Sequence, residues 1–304
     1  MRGLLVGVLL ATVLAVTVAC SPPPPTPVSV DPAEETTTPQ PIAAPEHTSR
    51  LAPVRNWALA IGGDLNERSL ERLGRFDLVV VDGEKVTPEQ VALLHRKGTL
   101  VLGYLSVGTI EKDRSWFPAV ERHRLGKLED WDEWYADVSK PGFRNELTGV
   151  AETMLAKDLD GLFLDNVDII ETHPEQDAGM RLLVERIANR THAVGGYVLA
   201  QNGEDVLGGM VDMLDGWNRE DVTWTYDFDS ESYVRVSERD HQSAIRALRD
   251  MRVRGLLTLA TDYVAQPRST AEEESVAAAR SAGALPYVSD IWLERVPTRP
   301  FPAP

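Results

Sequence analysis

Cysteine is almost absent from this 304-residue chain. Cys20 stands alone, which excludes an internal disulfide framework and a multi-cysteine metal site. Paired metal-binding histidines are missing too. His47, His95, His123, His173, His192 and His241 lie in separate segments with no HExxH-type spacing, so no metal is expected. The chain has no GxGxxG or Walker motif, so no nucleotide cofactor is expected, and no GxSxG elbow to support serine hydrolysis. Positive charge is scarce: 31 basic residues against 47 acidic ones give a net charge of −16. Nucleic acid is therefore not an expected partner, because phosphate binding needs basic patches. An acidic surface is compatible with a cationic ligand, and more simply with solubility.

Long apolar runs are also scarce, and the one present is terminal. Arg2 precedes an apolar run over residues 3–19, and Val18-Ala19 places small residues directly before Cys20. This pattern reads as an export signal and is similar to bacterial lipoprotein signals, which implies lipidation of Cys20. Residues 21–50 are rich in Pro, Thr and Ser, including Pro22-Pro23-Pro24-Pro25. Such a segment cannot build a packed core and reads as a semi-rigid tether. The expected location is the outer face of a cell membrane, reached through the lipid alone, with free secretion as the second choice. Residues 51–304 remain for one domain of roughly 250 residues, the usual size of a (β/α)8 barrel.

Within that domain, strand-like and helix-like segments alternate. Strands are expected at 57–61, 78–81, 100–105, 162–164, 197–200, 213–216, 256–260 and 285–288. Helices are expected from Thr87-Pro88 onward and at 147–157, 179–194, 241–252 and 270–281. Strands covered on both faces read as continuous apolar runs, as these do, and eight of them with helices between favour a closed α/β barrel over an open sheet. No other internal repeat is visible. Several runs end in polar groups: Asp82, Ser106, Asp165, Gln201 with Asn202, and Asp262. In a parallel barrel these ends share the rim where chemistry is done. The Asp165-Asn166-Val167-Asp168 segment is the most pointed of them, with two carboxylates three residues apart. It lacks the glycine turn and later glutamate of a calcium loop.

A set of ordered motifs then stands out. They are Tyr104-Leu105-Ser106-Val107-Gly108, Glu111 with Arg114, Trp134-Tyr135 with Asp137, Asp160 to Asp168, Gln201-Asn202-Gly203-Glu204, and Gly216 to Glu220-Asp221. In this order the chain resembles glycoside hydrolase family 114, whose members are associated with endo-α-1,4-polygalactosaminidase activity on a TIM barrel. The resemblance covers about residues 57–288. It implies a polysaccharide substrate containing cationic amino sugar, and Asp165 and Glu220 as the catalytic carboxylates. Glycoside hydrolysis needs one acid to protonate the leaving oxygen and a second carboxylate to meet the oxocarbenium-like centre. Which residue plays which part is left open by the sequence. Thr109 departs from the family, in which glutamate commonly follows Ser-Val-Gly.

Further residues are candidates to hold the sugar: Asp82, Ser106, Asp168, Gln201, Asn202 and Asp262 through hydrogen bonds, and Tyr104, Trp217, Trp224 and Tyr263 as stacking platforms. Each has a plainer alternative as a turn former, a loop-backbone partner or core. The domain is expected to act as a monomer. A non-catalytic carbohydrate-binding barrel on the cell surface is the competing class, since a fold does not fix a function. An exported scaffold without sugar affinity is the third.

Overall fold

A computed structural model of the protein describes residues 51–301 and residue 303. The export signal of residues 1–20 with Cys20, and the tether of 21–50, lie outside the described residues. In chain order the strands are β1 (Trp57–Ala60), β2 (Leu78–Asp82), β3 (Leu100–Ser106), β4 (Thr109–Ile110), β5 (Arg124–Leu128), β6 (Glu133–Ala136) and β7 (Gly161–Asp165). They continue as β8 (Tyr197–Gln201), β9 (Gly216–Glu220), β10 (Trp224–Asp227), β11 (Ser232–Arg235), β12 (Leu257–Tyr263) and β13 (Leu285–Ser289). Eight of them form one parallel sheet in the order β1-β2-β3-β7-β8-β9-β12-β13. Its two ends meet: β13 packs beside β1, and the Trp57 indole donates to the Leu285 carbonyl at 2.9 Å. The domain is a (β/α)8 barrel.

The connecting helices are α1 (Glu67–Leu73), α2 (Pro88–His95), α3 (Pro141–Leu155), α4 (Asp177–Ala193), α5 (Glu238–Val253) and α6 (Thr270–Ser281). Helix α2 starts as Thr87-Pro88 predicts. The Thr87 hydroxyl accepts from the Gln90 N–H while the Gln90 side chain accepts from the Thr87 N–H, a reciprocal cap with proline in the first turn. No helix among the described residues is long and apolar enough to cross a membrane.

The barrel interior is packed. Trp57, Phe163 and Tyr287, from the first, fourth and eighth barrel strands, are fully buried, with ring centroids 6.4 Å (Trp57–Phe163) and 5.5 Å (Trp57–Tyr287) apart. A filled centre leaves the strand ends as the place for a site. At the strand starts, two aspartates tie helices to the sheet in the same way. Asp160 Oδ2 accepts from the Val101 N–H and lies 2.8 Å from His95 Nε2. Asp215 Oδ2 accepts from the Val198 N–H and lies 2.9 Å from His192 Nε2. His95 and His192 are thereby accounted for as anchors of α2 and α4.

The structure differs from the sequence expectation in the sixth barrel strand. In place of a strand at 213–216, Gly208–Met213 form a 3-10 helix and β9 runs from Gly216 to Glu220. The stretch Trp217-Asn218-Arg219-Glu220 hides its strand character because its polar residues Asn218 and Glu220 serve the interior. Asn218 is fully buried, donates to Gln201 Oε1 at 2.8 Å and accepts from the Thr261 hydroxyl at 3.1 Å. Glu220 therefore ends a strand rather than following one. Two excursions also depart from the simple alternation: the antiparallel sheet β4-β6-β5 after β3, and the β10–β11 hairpin after β9.

Candidate active site

Three consecutive barrel strands, β7, β8 and β9, end in the same way. Asp165, Gln201 and Glu220 are their last residues, and Asn166, Asn202 and Asp221 follow with φ of 59°, 55° and 53°. Asn and Asp tolerate this left-handed conformation better than other residues with side chains, because their short polar groups bond locally. The Asn202 carboxamide also reaches across to the next strand: its Oδ1 accepts from the Glu220 N–H at 3.0 Å and its Nδ2 donates to Glu220 Oε2 at 2.9 Å. Gly108 supports the first of these turns. A methyl group there would stand 1.9 Å from the Asn166 carbonyl oxygen, so only glycine lets the chain pass the end of β7.

These strand ends open onto a cavity of about 350 Å³. Six carboxylates line it (Asp82, Glu111, Glu133, Asp165, Asp168 and Glu220), against two cations, Lys85 and Arg114. Tyr104, Asn166, Gln201, Asn202 and Tyr263 contribute the remaining polar lining. Asp165 sits in a cage of donors. Its Oδ2 accepts from the Tyr104 hydroxyl at 2.6 Å, and its Oδ1 accepts from Gln201 Nε2 at 2.9 Å and from the Asn166 N–H at 2.7 Å. Burial pushes its carboxyl above the usual carboxylate range, and these three donors offset that only in part. Glu220 accepts from Asn202 and from the Tyr263 hydroxyl. Burial, then the charges of Asp165 and Asp221, push its carboxyl up to about 8.

The neighbouring acids divide between paired and unpaired. Burial raises Asp82, but Arg114 at 2.8 Å, the Lys85 N–H and the Lys85 ammonium outweigh it and hold the carboxyl below its usual range. Arg114 also binds Glu111 Oε2 at 2.6 Å. Burial nonetheless lifts Glu111 to about 6, and its other oxygen is buried without a hydrogen-bond partner. Burial raises Glu133 and Asp168 to about 7 each, reinforced by Glu111 and Asp165 respectively. The site thus holds more carboxylate than it can ionise at once without a positive guest.

The sequence-predicted residues separate into two groups. Asp82, Tyr104, Asp165, Asp168, Gln201, Asn202, Glu220 and Tyr263 line one cavity. Tyr104 and Tyr263 are buried with their hydroxyls on Asp165 and Glu220, so they position carboxylates rather than present a stacking face. Ser106, Trp217 and Asp262, expected at the substrate, are buried outside the cavity lining. Strand alternation accounts for two of them. Trp217 lies on the face of β9 opposite Asn218 and is fully buried, its indole N–H donating to the Asn202 carbonyl at 2.7 Å. Asp262 lies opposite Tyr263 and accepts from the Thr223 and Trp224 N–H groups, anchoring the loop beyond Glu220. Ser106 spends its hydroxyl on Thr109, at 2.6 Å, and on Asn166, at 3.0 Å. Trp224 is outside the lining as well, its indole donating to Glu274 at 3.0 Å.

Glu133, Trp131 and Trp292 line the cavity although no sequence motif singles them out, and Glu111 and Arg114 stand out in the sequence only as motif members. Glu133 has no periodic signal, because it starts β6 in the excursion that folds back over the rim. Its carboxyl is hydrogen-bonded to the hydroxyl of Thr109, which itself is fully buried. Thr109 thus supplies no carboxylate of its own and touches one that arrives from another strand.

Comparison with known proteins places this architecture. No curated protein matches the sequence. Among solved structures, the glycoside hydrolase domain of PelA from Pseudomonas aeruginosa is 23% identical with a TM-score of 0.69, covering 79% of this chain and 96% of that one. Aspergillus fumigatus Ega3, solved in complex with galactosamine, is 18% identical with a TM-score of 0.63, covering 86% and 97%. An α-galactosidase from Thermus thermophilus is 13% identical with a TM-score of 0.54, covering 78% and 57%. At such identities the likeness establishes the barrel. The sequence itself goes further, matching Glycoside-hydrolase family GH114 over residues 37–299, that is, nearly the whole chain beyond its first segment. The chain belongs to that family and is a glycosidase.

Proposed function

We propose that the domain hydrolyses α-linked, amino-sugar-rich polysaccharide, with Asp165 as the ionised carboxylate and Glu220 as the proton donor. The observation that carries this reading is the convergence of the two acids on one cavity in unlike surroundings. Burial raises Asp165 as it raises Glu220, but three donors of its own favour its charged form and set it as the more readily ionised of the two. Glu220 lies near that charge and holds its proton up to about pH 8. An acid that is neutral at working pH can protonate a glycosidic oxygen, while the ionised partner meets the oxocarbenium-like centre as nucleophile or by activating water. Tyr104 and Gln201 keep Asp165 aimed, and Asn202 and Tyr263 do the same for Glu220.

The preference for amino sugar rests on charge. Six carboxylates facing two cations, with one buried Glu111 oxygen unpartnered, suit a guest that brings ammonium groups. Ega3, which shares the fold, is described in complex with galactosamine, a sugar of that class. The test is cleavage of α-linked polygalactosamine, followed by product release, in the wild type, Asp165→Asn and Glu220→Gln. Both variants should lose at least about a thousandfold in turnover. Glu220→Gln should recover much of its rate on an aryl glycoside whose leaving group needs no proton, and Asp165→Asn should not. Equal cleavage by all three proteins would overturn the assignment. Binding without cleavage by the wild type would favour the carbohydrate-binding barrel.

The same reading extends to location: Cys20 carries lipid and the Pro-rich tether holds the barrel off the outer membrane face. It is supported by Arg2, the apolar run of residues 3–19 and the small residues before Cys20. Cys20→Ser should release the protein from membranes or leave it unprocessed. Unchanged processing and partitioning would exclude the anchor.

A further inference from the structure

The cavity has a second character away from the carboxylates. Leu128, Trp131, Ile291, Trp292 and Leu293 line it as well, and these residues carry no charge. Trp131 and Trp292 are 42% and 53% exposed, among the few large apolar side chains in the described residues left open to water. They come from separate parts of the chain, Trp131 from the turn between β5 and β6 and Trp292 from the segment after β13. Phe228, at the turn of the β10–β11 hairpin, joins them. Ring centroids lie 5.3 Å apart for Trp131–Phe228, 5.9 Å for Trp131–Trp292 and 6.5 Å for Phe228–Trp292, at interplanar angles of 70°, 79° and 83°. Tyr226 packs edge-on against Phe228 and in turn against Tyr233. Three excursions from the third, sixth and eighth barrel strands thus meet in one edge-to-face aromatic junction beside the catalytic carboxylates.

We propose that Trp131 and Trp292 form a stacking subsite for a pyranose ring of the polysaccharide, displaced along the chain from the bond that Asp165 and Glu220 address. This rests on reading the site as that of a glycan hydrolase. Edge-to-face packing fixes the indoles by their neighbours yet leaves apolar area open, as their exposure records. The C–H face of a sugar covers such area while its hydroxyl and amino groups stay in water, and an ammonium beside an indole face is attracted to its π electrons. The alternative is that the junction only ties the excursions to the barrel. A tie alone predicts a loss of stability on truncation and no dependence on ligand length.

The discriminating experiment uses the full domain carrying Glu220→Gln to prevent turnover, with Trp131→Ala, Trp292→Ala and the conservative Trp292→Phe added singly. Binding of galactosamine and of α-linked galactosamine oligomers of increasing length is measured by calorimetry and by indole fluorescence, with thermal melting alongside. Each alanine variant should weaken oligomer binding at least tenfold more than galactosamine binding, remove part of the fluorescence change, and be partly rescued in Trp292→Phe. Equal losses for monomer and oligomer, or no loss at all, would overturn the subsite whatever the melting temperature does. Neutral α-linked oligomers run in parallel separate this outcome from failure of the amino-sugar reading. If only neutral oligomers bind, and with the same length-dependent tryptophan effect, the subsite stands and the substrate assignment falls. If no oligomer of either kind binds, the subsite falls.

Discussion

Glu220→Gln should gain stability on the wild type as pH rises from acid to neutral, while losing activity. Folded Glu220 keeps its proton up to about pH 8, first because it is buried and then because Asp165 and Asp221 are near, whereas an unstructured glutamate releases it near 4.5. Between those values the folded state binds a proton that the unfolded state has lost, so stability is full below about 4.5 and falls as pH rises toward 8. At pH 7 the gap is about 2.5 pH units, and at about 1.36 kcal/mol per unit the wild type forgoes about 3 kcal/mol. Glutamine has no proton to lose in either state, so the variant escapes that loss. It keeps an acceptor oxygen for Asn202 or Tyr263, although its amide N–H groups fit the second position less well, an effect that is the same at every pH. The assay is urea unfolding of both proteins at pH 4.5, 6, 7 and 8, comparing how the difference in unfolding free energy changes with pH. The variant should gain on the wild type by about 3 kcal/mol between pH 4.5 and 7. Parallel stability curves would refute the claim that Glu220 is held protonated.

Three further outcomes follow from the same geometry. The wild-type kcat/KM should fall on the alkaline side as Glu220 ionises near pH 8, and Glu220→Gln should lose that limb in a pH–rate series on an activated aryl glycoside. Binding of a galactosamine oligomer at pH 7 should release protons, because a cation lowers the raised carboxyls of Glu111, Glu133 and Asp168, at about 6, 7 and 7; calorimetry in buffers of different ionisation enthalpy reads the number, and none released would contradict the charge argument. At the opposite end of the barrel, Asp215→Ala strips the Val198 N–H and His192 of a buried partner and should cost about 2–4 kcal/mol in denaturant unfolding, with kcat unchanged in protein that remains folded.

Much of the barrel is legible in the chain because its strands are covered on both faces. Leu78-Val79-Val80-Val81 and Gly161-Leu162-Phe163-Leu164 are apolar without alternation, and a run that short and that continuous marks a strand with no face toward water. Legibility ends where interior positions are polar. Asn218 and Glu220 break the apolar signal of β9, which is why the sequence alone places that strand too early. The β4-β6-β5 excursion leaves no strand signal because β4 is only two residues long and β5 and β6 are short and partly exposed, with nothing in Arg124–Leu128 to distinguish a strand from a loop.

Sequence alone determined the eightfold alternation, the polar residues at strand ends and the family motifs that single out Asp165 and Glu220, since these depend on local composition and order. Tertiary structure decided which of the polar residues share a cavity. Ser106 and Trp217 sit in the same motifs as their neighbours and Asp262 ends an apolar run as Asp82 does, yet a step of one residue along a strand turns a side chain to the other face, and local bonding can claim a hydroxyl first. Only the fold could bring Glu133, Trp131 and Trp292 to the rim from distant excursions. Only the fold, too, could bury Asp165 among three donors and Glu220 beside its charge, because burial and proximity across the chain, not residue type, raise both carboxyls and Glu220 to about 8.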